Sequence, residues 1–457
     1  MAGIGFELKK LWDQGSYRSL LRAYTMTTLM GAGPGLFMIL SLSVTCLFSL
    51  FSTPSYKITY QFLSIITYLL SSSMIIGSFL QFTFFRCIAD IVIEKDFNKI
   101  TPNFIGVLLL QLIISISLSV PVVFYFLSEY SFILKLELIS IFIILSMIWV
   151  SVVLLTGNKA YRFIIWGFSL GYFSMIVVHF LLDEPNLISM LFEFLIAQVI
   201  ILIFLLHSIL DYYPTSDLIR FDFLKRENFY FSLFFSSFFY TFGFWIDKYL
   251  FWYNDNTGFV IFPPLRLSPV YDLPMFIAYL AIIPTTATFL MQIEANFGLI
   301  YPKFMKTIFR RKTYAEISAV KSELVLAGKE SVLSLFKTQS TMTVIMFLSA
   351  SFILSTFNIL PIYLNILLIL IIAVGLNIIL WGLLNILYYL TEYLHALYVC
   401  IIFATSNFTF TLISLYAGPS FFGYGVGLSL LLSISFALIY LNKDFKNLEY
   451  STFMMTD

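Results

Sequence analysis

The chain is a row of long apolar runs, and nearly all of its positive charge lies on one side of them. Sixty per cent of its 457 residues are hydrophobic and only 11% are charged, too few to cover a soluble fold of this length. Runs of about 20 apolar residues match the roughly 30 Å hydrocarbon core of a bilayer. Such runs should be helices, because a helix satisfies its own backbone polar groups in lipid. We therefore predict an all-α polytopic membrane protein with about 12 transmembrane helices in two six-helix lobes.

The positions of Lys and Arg predict how these spans are oriented. With a cytoplasmic N-terminus, 22 of the 26 Lys and Arg residues fall inside, 3 fall outside, and Lys248 lies within a span. A missed or surplus span would invert every later loop and blur this contrast. The sequence therefore predicts a multi-pass protein of the cytoplasmic (inner) membrane with both termini in the cytoplasm. The predicted spans are 23–51, 59–84, 103–127, 136–156, 161–182, 187–210, 229–253, 272–297, 338–357, 362–389, 394–415 and 418–441.

The spacing of the spans also predicts the domain organisation. An N-terminal segment has apolar residues at helical spacing and should lie on the inner membrane face. The longest polar insertion resembles one or two amphipathic cytoplasmic helices. An outer loop, 254–271, carries three prolines and is expected to be irregular rather than helical. The parts are the amphipathic segment 1–22, the N-lobe 23–210, the linker 211–228, the C-lobe 229–441 with its insertion 298–337, and the cytoplasmic tail 442–457.

Several functional classes are excluded by composition and motif. The basic clusters follow from the inside bias, so nucleic-acid binding is not predicted. The three cysteines and three histidines lack metal-ligand spacing, and no disulfide framework is implied. No phosphate-binding glycine loop ends in Lys and Ser/Thr, so ATP hydrolysis is not expected. We predict a protein that is not an enzyme, with no catalytic residue, no cofactor and no metal.

The first span contains a glycine- and proline-rich stretch. Proline removes a backbone donor and glycine loosens a helix, which favours a bend or an unwound turn. A hinge for alternating access and the close packing of a small-residue face both fit this segment. The hinge candidates are Gly31, Gly33, Pro34 and Gly35.

Ionisable residues within the spans are candidates for the path of a substrate. Such groups are costly in a membrane and usually face a cavity or each other. Asp247 and Lys248 lie in the outer half of span seven, Glu193 lies in span six, and Asp272 begins span eight. One interpretation places Asp247 in a lumen, in contact with substrate or a coupling proton. The other is a structural ion pair, with Lys248 extending to the outer interface.

Several motifs resemble the PelG family, the inner-membrane exporters of the Pel exopolysaccharide. The strongest are residues 1–11, MAGIGFELKKL, and residues 269–276, PVYDLPMF. The resemblance covers essentially the full length, although Thr285, Thr286 and Ala295 depart from the family pattern. The other stretches that fit are the glycine-rich first span, Asp247-Lys248, Ile283-Pro284 and Glu294-Ala295-Asn296-Phe297.

The resemblance implies a fold, a substrate and partners. The fold would be that of the multidrug/oligosaccharidyl-lipid/polysaccharide flippase superfamily, with two six-helix lobes forming a V. The activity would be transport of a Pel-type exopolysaccharide, a partly deacetylated amino-sugar polymer, across the cytoplasmic membrane. The cytoplasmic glycosyltransferase PelF would supply the chain, and the membrane proteins PelD and PelE would be partners. Composition and spacing alone indicate only a twelve-span, transporter-like protein.

The insertion 298–337 is either an anchor against anionic lipid or a docking surface for the glycosyltransferase. Its apolar stripe and its basic cluster supply the docking candidates. They are Phe304, Ile308, Arg310, Arg311, Lys312 and Ile317.

Other functions stay open at this stage. The same fold could flip a lipid-linked oligosaccharide or export a drug, and a non-transporting scaffold of a polysaccharide synthase complex is also compatible. The major facilitator fold is disfavoured, because the loop after span two reads RCIADIV at residues 86–92 and lacks that fold's Gly-x-x-x-Asp-Arg motif. A membrane enzyme would need more intramembrane ionisable groups than the chain has.

Overall fold

The apolar runs form long helices in the computed structural model, which describes residues 17–52, 56–157, 160–182, 186–215, 217–225 and 229–454. In chain order its first elements are α1 Tyr17–Ser52, α2 Tyr56–Glu94, α3 Ile100–Phe126, α4 Phe132–Gly157, α5 Tyr161–Leu181, α6 Leu187–Tyr212, α7 Phe231–Tyr253, β1 Phe259–Phe262 and β2 Leu265–Leu267. The remaining helices are α8 Pro269–Tyr279, α9 Ile283–Phe289, α10 Gly298–Phe309, α11 Tyr314–Thr356, α12 Leu364–Tyr389, α13 Tyr393–Ala417 and α14 Tyr424–Met454.

The predicted fold class is confirmed, because each predicted span coincides with a helix. Among the described residues, 11 helical stretches are long and apolar enough to cross a membrane. One of them is the continuous stretch Pro269–Phe309, in which a 3-10 turn and the π-helical segment Leu290–Phe297 connect α8, α9 and α10. The other predicted span is α7, a helix of 23 residues whose Ser, Tyr and Trp residues lower its hydropathy.

The chain divides into two compact units. The first unit holds Ala32–Thr241 and Gly258–Leu267, and the second holds the described residues up to Gly31, Phe242–Thr257 and those from Ser268 onward. Two of the unit boundaries fall inside helices, after Gly31 in α1 and after Thr241 in α7. Span counting had instead placed the lobe boundaries between helices. The start of α1 packs with the second unit, because Gly31 lies against Thr286 of α9.

Hydrogen bonds between Asn103 and Asp222 attach the linker after α6 to the rest of the first unit. Asn103 Nδ2 donates to Asp222 Oδ2 at 2.9 Å, and the Asp222 backbone N–H donates to Asn103 Oδ1 at 2.7 Å. Lys225 Nζ lies 2.5 Å from the other oxygen of the Asp222 carboxylate. Burial alone would raise the pKa of Asp222, but hydrogen bonds from Lys225 and Asn103 and nearby positive charge leave it below its usual value. The described part of the linker is therefore an ordered part of the first unit.

The predicted insertion 298–337 is not a separate domain. It consists of α10 and the first half of α11, which are cytoplasmic-side extensions of two spans in the predicted topology. The turn between them is closed by a capping box, in which the Thr313 side chain and Glu316 bond to each other's backbone N–H groups. Similarly, α14 continues to Met454, so the predicted tail begins as helix.

The outer loop is more regular than its prolines indicated. Strands β1 and β2 form an antiparallel hairpin, with Pro263 and Pro264 between them. Tyr68 of α2 supports the hairpin by donating from its hydroxyl to the Arg266 carbonyl at 2.9 Å. The prediction of an irregular loop was wrong, because the prolines occupy the turn and leave the strands free to pair. The amphipathic segment 1–22 lies outside the described residues as far as residue 16, and α1 begins at Tyr17.

Candidate functional site

A close helix contact in the second unit positions the acidic end of α7. A Cβ atom at Gly243 would lie 2.8 Å from the ring of Phe403 on α13, so only glycine permits this approach. Asn407 of α13 secures it by donating from Nδ2 to the Gly243 carbonyl at 2.8 Å. Asp247 follows one helical turn later, on the same face of α7.

Asp247 is completely buried and has its own partners. The Tyr271 hydroxyl, in the first turn of α8, donates to Asp247 Oδ2 at 2.5 Å. The Tyr271 ring stacks on Phe251 with centroids 3.9 Å apart, which fixes the position of this hydroxyl. The Asp247 carboxylate, which one of the two interpretations placed in a lumen, is enclosed between α7 and α8 and bonded to their side chains.

Lys248 does not extend to the membrane surface, as one of the two interpretations proposed. Its Nζ donates to the Phe244 carbonyl at 2.7 Å and lies 3.3 Å from Asp247 Oδ1. The ammonium also lies 4.6 Å from the centre of the Phe244 ring, within the range of a cation–π interaction. Adjacent residues point in different directions from a helix, so the pair forms because the long lysine side chain folds back toward the preceding turn.

Asp272 completes this polar cluster. Trp252 Nε1, near the end of α7, lies 2.9 Å from both oxygens of the Asp272 carboxylate and donates to them. The Ser268 backbone N–H donates to Asp272 Oδ2 at 2.9 Å, which caps the start of α8. The two acids thus tie the end of α7 to the start of α8. We call Asp247, Lys248, Trp252, Tyr271 and Asp272 the α7–α8 cluster.

A second buried acid lies in the first unit and has a simpler environment. Glu193 of α6 is completely buried, and His179 of α5 places Nδ1 3.0 and 3.2 Å from its two oxygens. At this distance either the Nδ1–H donates to the carboxylate or a protonated carboxyl group donates to Nδ1. Sequence reasoning missed this pair, because the two residues meet only when α5 and α6 fold back on each other. Both groups can exchange a proton, unlike the tyrosine and tryptophan donors of the α7–α8 cluster.

The glycine-rich stretch stays helical, because α1 runs without a break through Pro34. The predicted unwound turn is therefore absent from this structure. Gly31 serves close packing, since a Cβ atom there would lie 3.0 Å from the Thr286 side chain. Gly33 is buried, whereas a Cβ atom at Gly35 would meet nothing within 4 Å. The unit boundary falls directly after Gly31, so the hinge remains a hypothesis for this segment.

The apolar residues of the predicted docking stripe are mostly buried. Phe304 and Ile317 are buried, and Ile308 is half-buried. Arg310, Arg311 and Lys312 are exposed, with Lys312 Nζ 2.7 Å from Glu316 Oε1. A docking role for Phe304 and Ile317 would require the hairpin to open. The apolar side chains that the tip does expose are Phe309 and Tyr314.

Two further polar features escaped sequence reasoning. His395 Nδ1 lies 3.0 Å from Asp444 Oδ1 and 3.5 Å from Glu392 Oε2, and these three side chains are the group among the described residues that could hold a metal ion. Asp444 is too distant in sequence for spacing to indicate it. The π-helical segment Leu290–Phe297 places Gln292 and Glu294 in half-buried positions within a span. Such π segments are frequent at functional sites, but they leave no clear signature in composition.

Comparison with known proteins gives one family match and several structural matches. The family model described as "PelG: Putative exopolysaccharide Exporter (EPS-E)" matches residues 1–453. A comparison with curated proteins finds no match.

The solved structures that resemble the chain are membrane transporters. An outward-facing multidrug resistance MATE family transporter of the MOP superfamily aligns with a TM-score of 0.67 and 14% identity, over 93% of this chain and 96% of that one. A MOP superfamily transporter from Pyrococcus furiosus Vc1 (DSM3638), described as having a binding pocket of reverse polarity, aligns with a TM-score of 0.66 and 13% identity, over 93% and 95% of the two chains. A MATE structure in the straight conformation aligns with a TM-score of 0.64 and 12% identity, over 93% and 96%. These identities establish the fold, and the family match covers nearly the whole chain.

Proposed function

The chain belongs to the PelG family of exopolysaccharide exporters, and from this membership we propose that it carries a Pel-type exopolysaccharide across the cytoplasmic membrane. The substrate would be a partly deacetylated amino-sugar polymer. The observation that carries the proposal is the family match over residues 1–453, joined to a transporter fold over 93% of the chain. The protein is a transporter by family and fold, not an enzyme.

We further propose that a cytoplasmic glycosyltransferase of the PelF type docks at the tip of the α10–α11 hairpin, with PelD and PelE as membrane partners. The support is the exposed pair Phe309 and Tyr314 beside the cations Arg310, Arg311 and Lys312. A matched pair of variants tests the contact. Phe309→Ser should reduce co-purification of the glycosyltransferase while the protein stays folded. Phe304→Ser, which alters the buried side of the same helix, should instead reduce folded protein.

The proposed location is the cytoplasmic membrane, with both termini inside. The support is the distribution of Lys and Arg around helices that coincide with the predicted spans. The native cysteines are all buried, so cysteines introduced at Ser334 and Asn256 can be labelled selectively. In intact cells, a membrane-impermeant reagent should reach Asn256→Cys and not Ser334→Cys. Labelling of both from outside would contradict the topology.

Genetic removal of the chain tests transport against the scaffold alternative. An exporter that is lost should leave polymer inside the cell, because synthesis continues while secretion stops. A scaffold that is lost should abolish synthesis, so no polymer should accumulate on either side. Accumulation of a lipid-linked oligosaccharide instead would favour a flippase with the same fold.

A further inference from the structure

A cavity of about 640 Å³ lies within the first unit, on the side of the membrane that the charge distribution predicts to be outside. It is formed where α2, the starts of α4 and α6, and strand β1 meet. The polar and aromatic residues in its lining include Gln61, Tyr130, Glu137, Ser189, Phe192 and Phe262. This volume is typical of a site for a small molecule or for one or two sugar rings.

Glu137 is the unusual member of this wall. Its side chain is only 7% exposed, and its Oε2 atom is buried without a hydrogen-bond partner among the described residues. Leaving a buried carboxylate oxygen unpaired is costly, so such an atom points to a partner that binds there. Lys135, on the same turn of α4, does not supply the partner. Its ammonium donates to the Ser128 carbonyl at 2.7 Å and lies over the Phe124 ring.

The rest of the wall combines aromatic and polar groups. Tyr130 and Phe262 stack with their ring centres 4.3 Å apart, and the Tyr130 hydroxyl donates to the Pro263 carbonyl at 3.0 Å. These two rings are therefore held in place by the β1–β2 hairpin. Phe192 of α6 is 46% exposed and offers a free ring face. Sugar rings pack their C–H faces on aromatic rings, and their hydroxyls bond to groups such as the Gln61 amide.

We propose that this cavity binds one protonated amino-sugar residue, with its ammonium on Glu137 and its ring on Phe192. The proposal rests on the proposed function, and it adds a specific subsite for the charged units of the polymer. A divalent metal is a poor match, because Ca²⁺ or Mg²⁺ requires about six oxygen ligands, whereas this wall presents a single carboxylate beside aromatic rings. An ammonium satisfies the carboxylate through charge-assisted hydrogen bonds and can lie against aromatic faces.

Binding of glucosamine oligomers and N-acetylglucosamine oligomers to the purified full chain tests the proposal. The two ligands differ in charge and have similar rings. The glucosamine oligomer should bind about tenfold to a hundredfold more tightly near neutral pH, the range given by a hydrogen bond to a charged group. Glu137→Gln should abolish this preference while leaving the unfolding temperature unchanged. Glu129→Gln, which removes an exposed acid in the preceding turn outside the cavity wall, should leave it intact.

A second variant separates charge from shape. Phe192→Ala should weaken both oligomers by the same factor, because it removes the stacking surface and keeps the carboxylate. Equal affinity of the native protein for both oligomers would overturn the proposal, as would an unchanged preference in Glu137→Gln. The amine of phosphatidylethanolamine presents the same chemistry. Competitive displacement of glucosamine oligomers by this lipid, compared with phosphatidylcholine nanodiscs, would assign the site to a lipid headgroup and overturn the amino-sugar assignment.

Export measured in parallel keeps this proposal distinct from the proposed function. If polymer is secreted normally but no charge preference appears in binding, the subsite is wrong and transport stands. If the preference is present but removal of the chain leaves secretion unchanged, the proposed function is wrong and the cavity binds amino sugars for another purpose.

Discussion

Two completely buried acids, Asp247 and Glu193, lie in different units and differ in what surrounds them. Asp247 is held by Tyr271 and Lys248, and Lys248 is in turn held by the Phe244 carbonyl and ring. Glu193 faces a single histidine, His179. Asp247 therefore has a hydroxyl and an ammonium as partners, whereas Glu193 has one imidazole. We therefore expect the contacts of Asp247 to stay fixed and the Glu193–His179 pair to be the more easily altered of the two.

The comparison shows that depth of burial does not by itself identify a transport residue. Asp247 and Glu193 are equally buried, yet Asp247 is bound by Tyr271 and Lys248 and Glu193 by His179 alone. Coupled transport requires a group whose state changes during the cycle. We therefore expect Asp247 to serve mainly in joining helices, and Glu193 to be the better candidate for a group that changes during transport.

The largest expected effect is that of Asp247→Asn. It leaves Lys248 buried without its counter-charge, which should lower the free energy of unfolding by about 3–5 kcal/mol. Unfolding in mixed detergent micelles measures this loss, and the amount of protein in the membrane should fall with it. The double variant Asp247→Asn/Lys248→Met removes both charges and should recover most of the stability. A stable single variant with lost export would instead place Asp247 in the substrate path.

The second prediction concerns Glu193, whose replacement should affect export more than stability. Glu193→Gln keeps an oxygen that accepts from His179, so the free energy of unfolding should fall by only about 1–2 kcal/mol. Export should nevertheless drop strongly, and its dependence on pH should flatten, because the titratable pair is gone. Secreted polymer measured over a range of pH, at matched protein levels, provides the check. Unfolding as severe as that of Asp247→Asn would remove the distinction between the two acids.

A third acid, outside the membrane-spanning helices, extends the comparison to pH-dependent stability. Nearby hydrogen bonds and positive charge lower the pKa of Asp222, so the charged form stabilises the folded state. The contribution of Asp222 to the free energy of unfolding is complete above the pKa of an ordinary carboxyl group. It disappears as the pH falls through the lower pKa that Asp222 has in the folded state. Asp222→Asn should cost about 1 kcal/mol at neutral pH, a loss that shrinks in acid. Equal losses of unfolding free energy at neutral and acidic pH would contradict a stabilising role for the charged Asp222 side chain.

The smallest effect on stability concerns the glycines of α1. Gly35→Ala meets no neighbouring atom and should raise the free energy of unfolding by about 0.5–1 kcal/mol, because alanine favours a helix interior. Gly31→Ala crowds Thr286 and should lower it slightly. If this segment is a hinge, Gly35→Ala should also reduce export despite its greater stability. If export rises and falls with stability in both variants, the segment serves packing and is not a hinge.

The sequence was sufficient to predict the long apolar helices, because the thickness of the hydrocarbon core fixes their length. Loop 254–271 shows where this reasoning weakened, since prolines do not by themselves distinguish an irregular loop from the turn of a hairpin. The partners of the buried acidic side chains could not be predicted from the sequence. Tyr271 is 24 residues from Asp247 and His179 is 14 residues from Glu193, and both pairs meet only through helix packing. Sequence periodicity identified an apolar face at Phe304 and Ile317, but it could not show that both side chains are buried within the fold.

Polymer passage in reconstituted vesicles tests the transport function most directly. The purified chain would be placed in liposomes with the glycosyltransferase and its nucleotide-sugar substrates on the cytoplasmic side. Polymer should appear in the lumen, protected from an added hydrolase, and protection should vanish when the chain is omitted while total synthesis stays constant. Equal protection with and without the chain, or synthesis that stops when the chain is omitted, would contradict a role in transport.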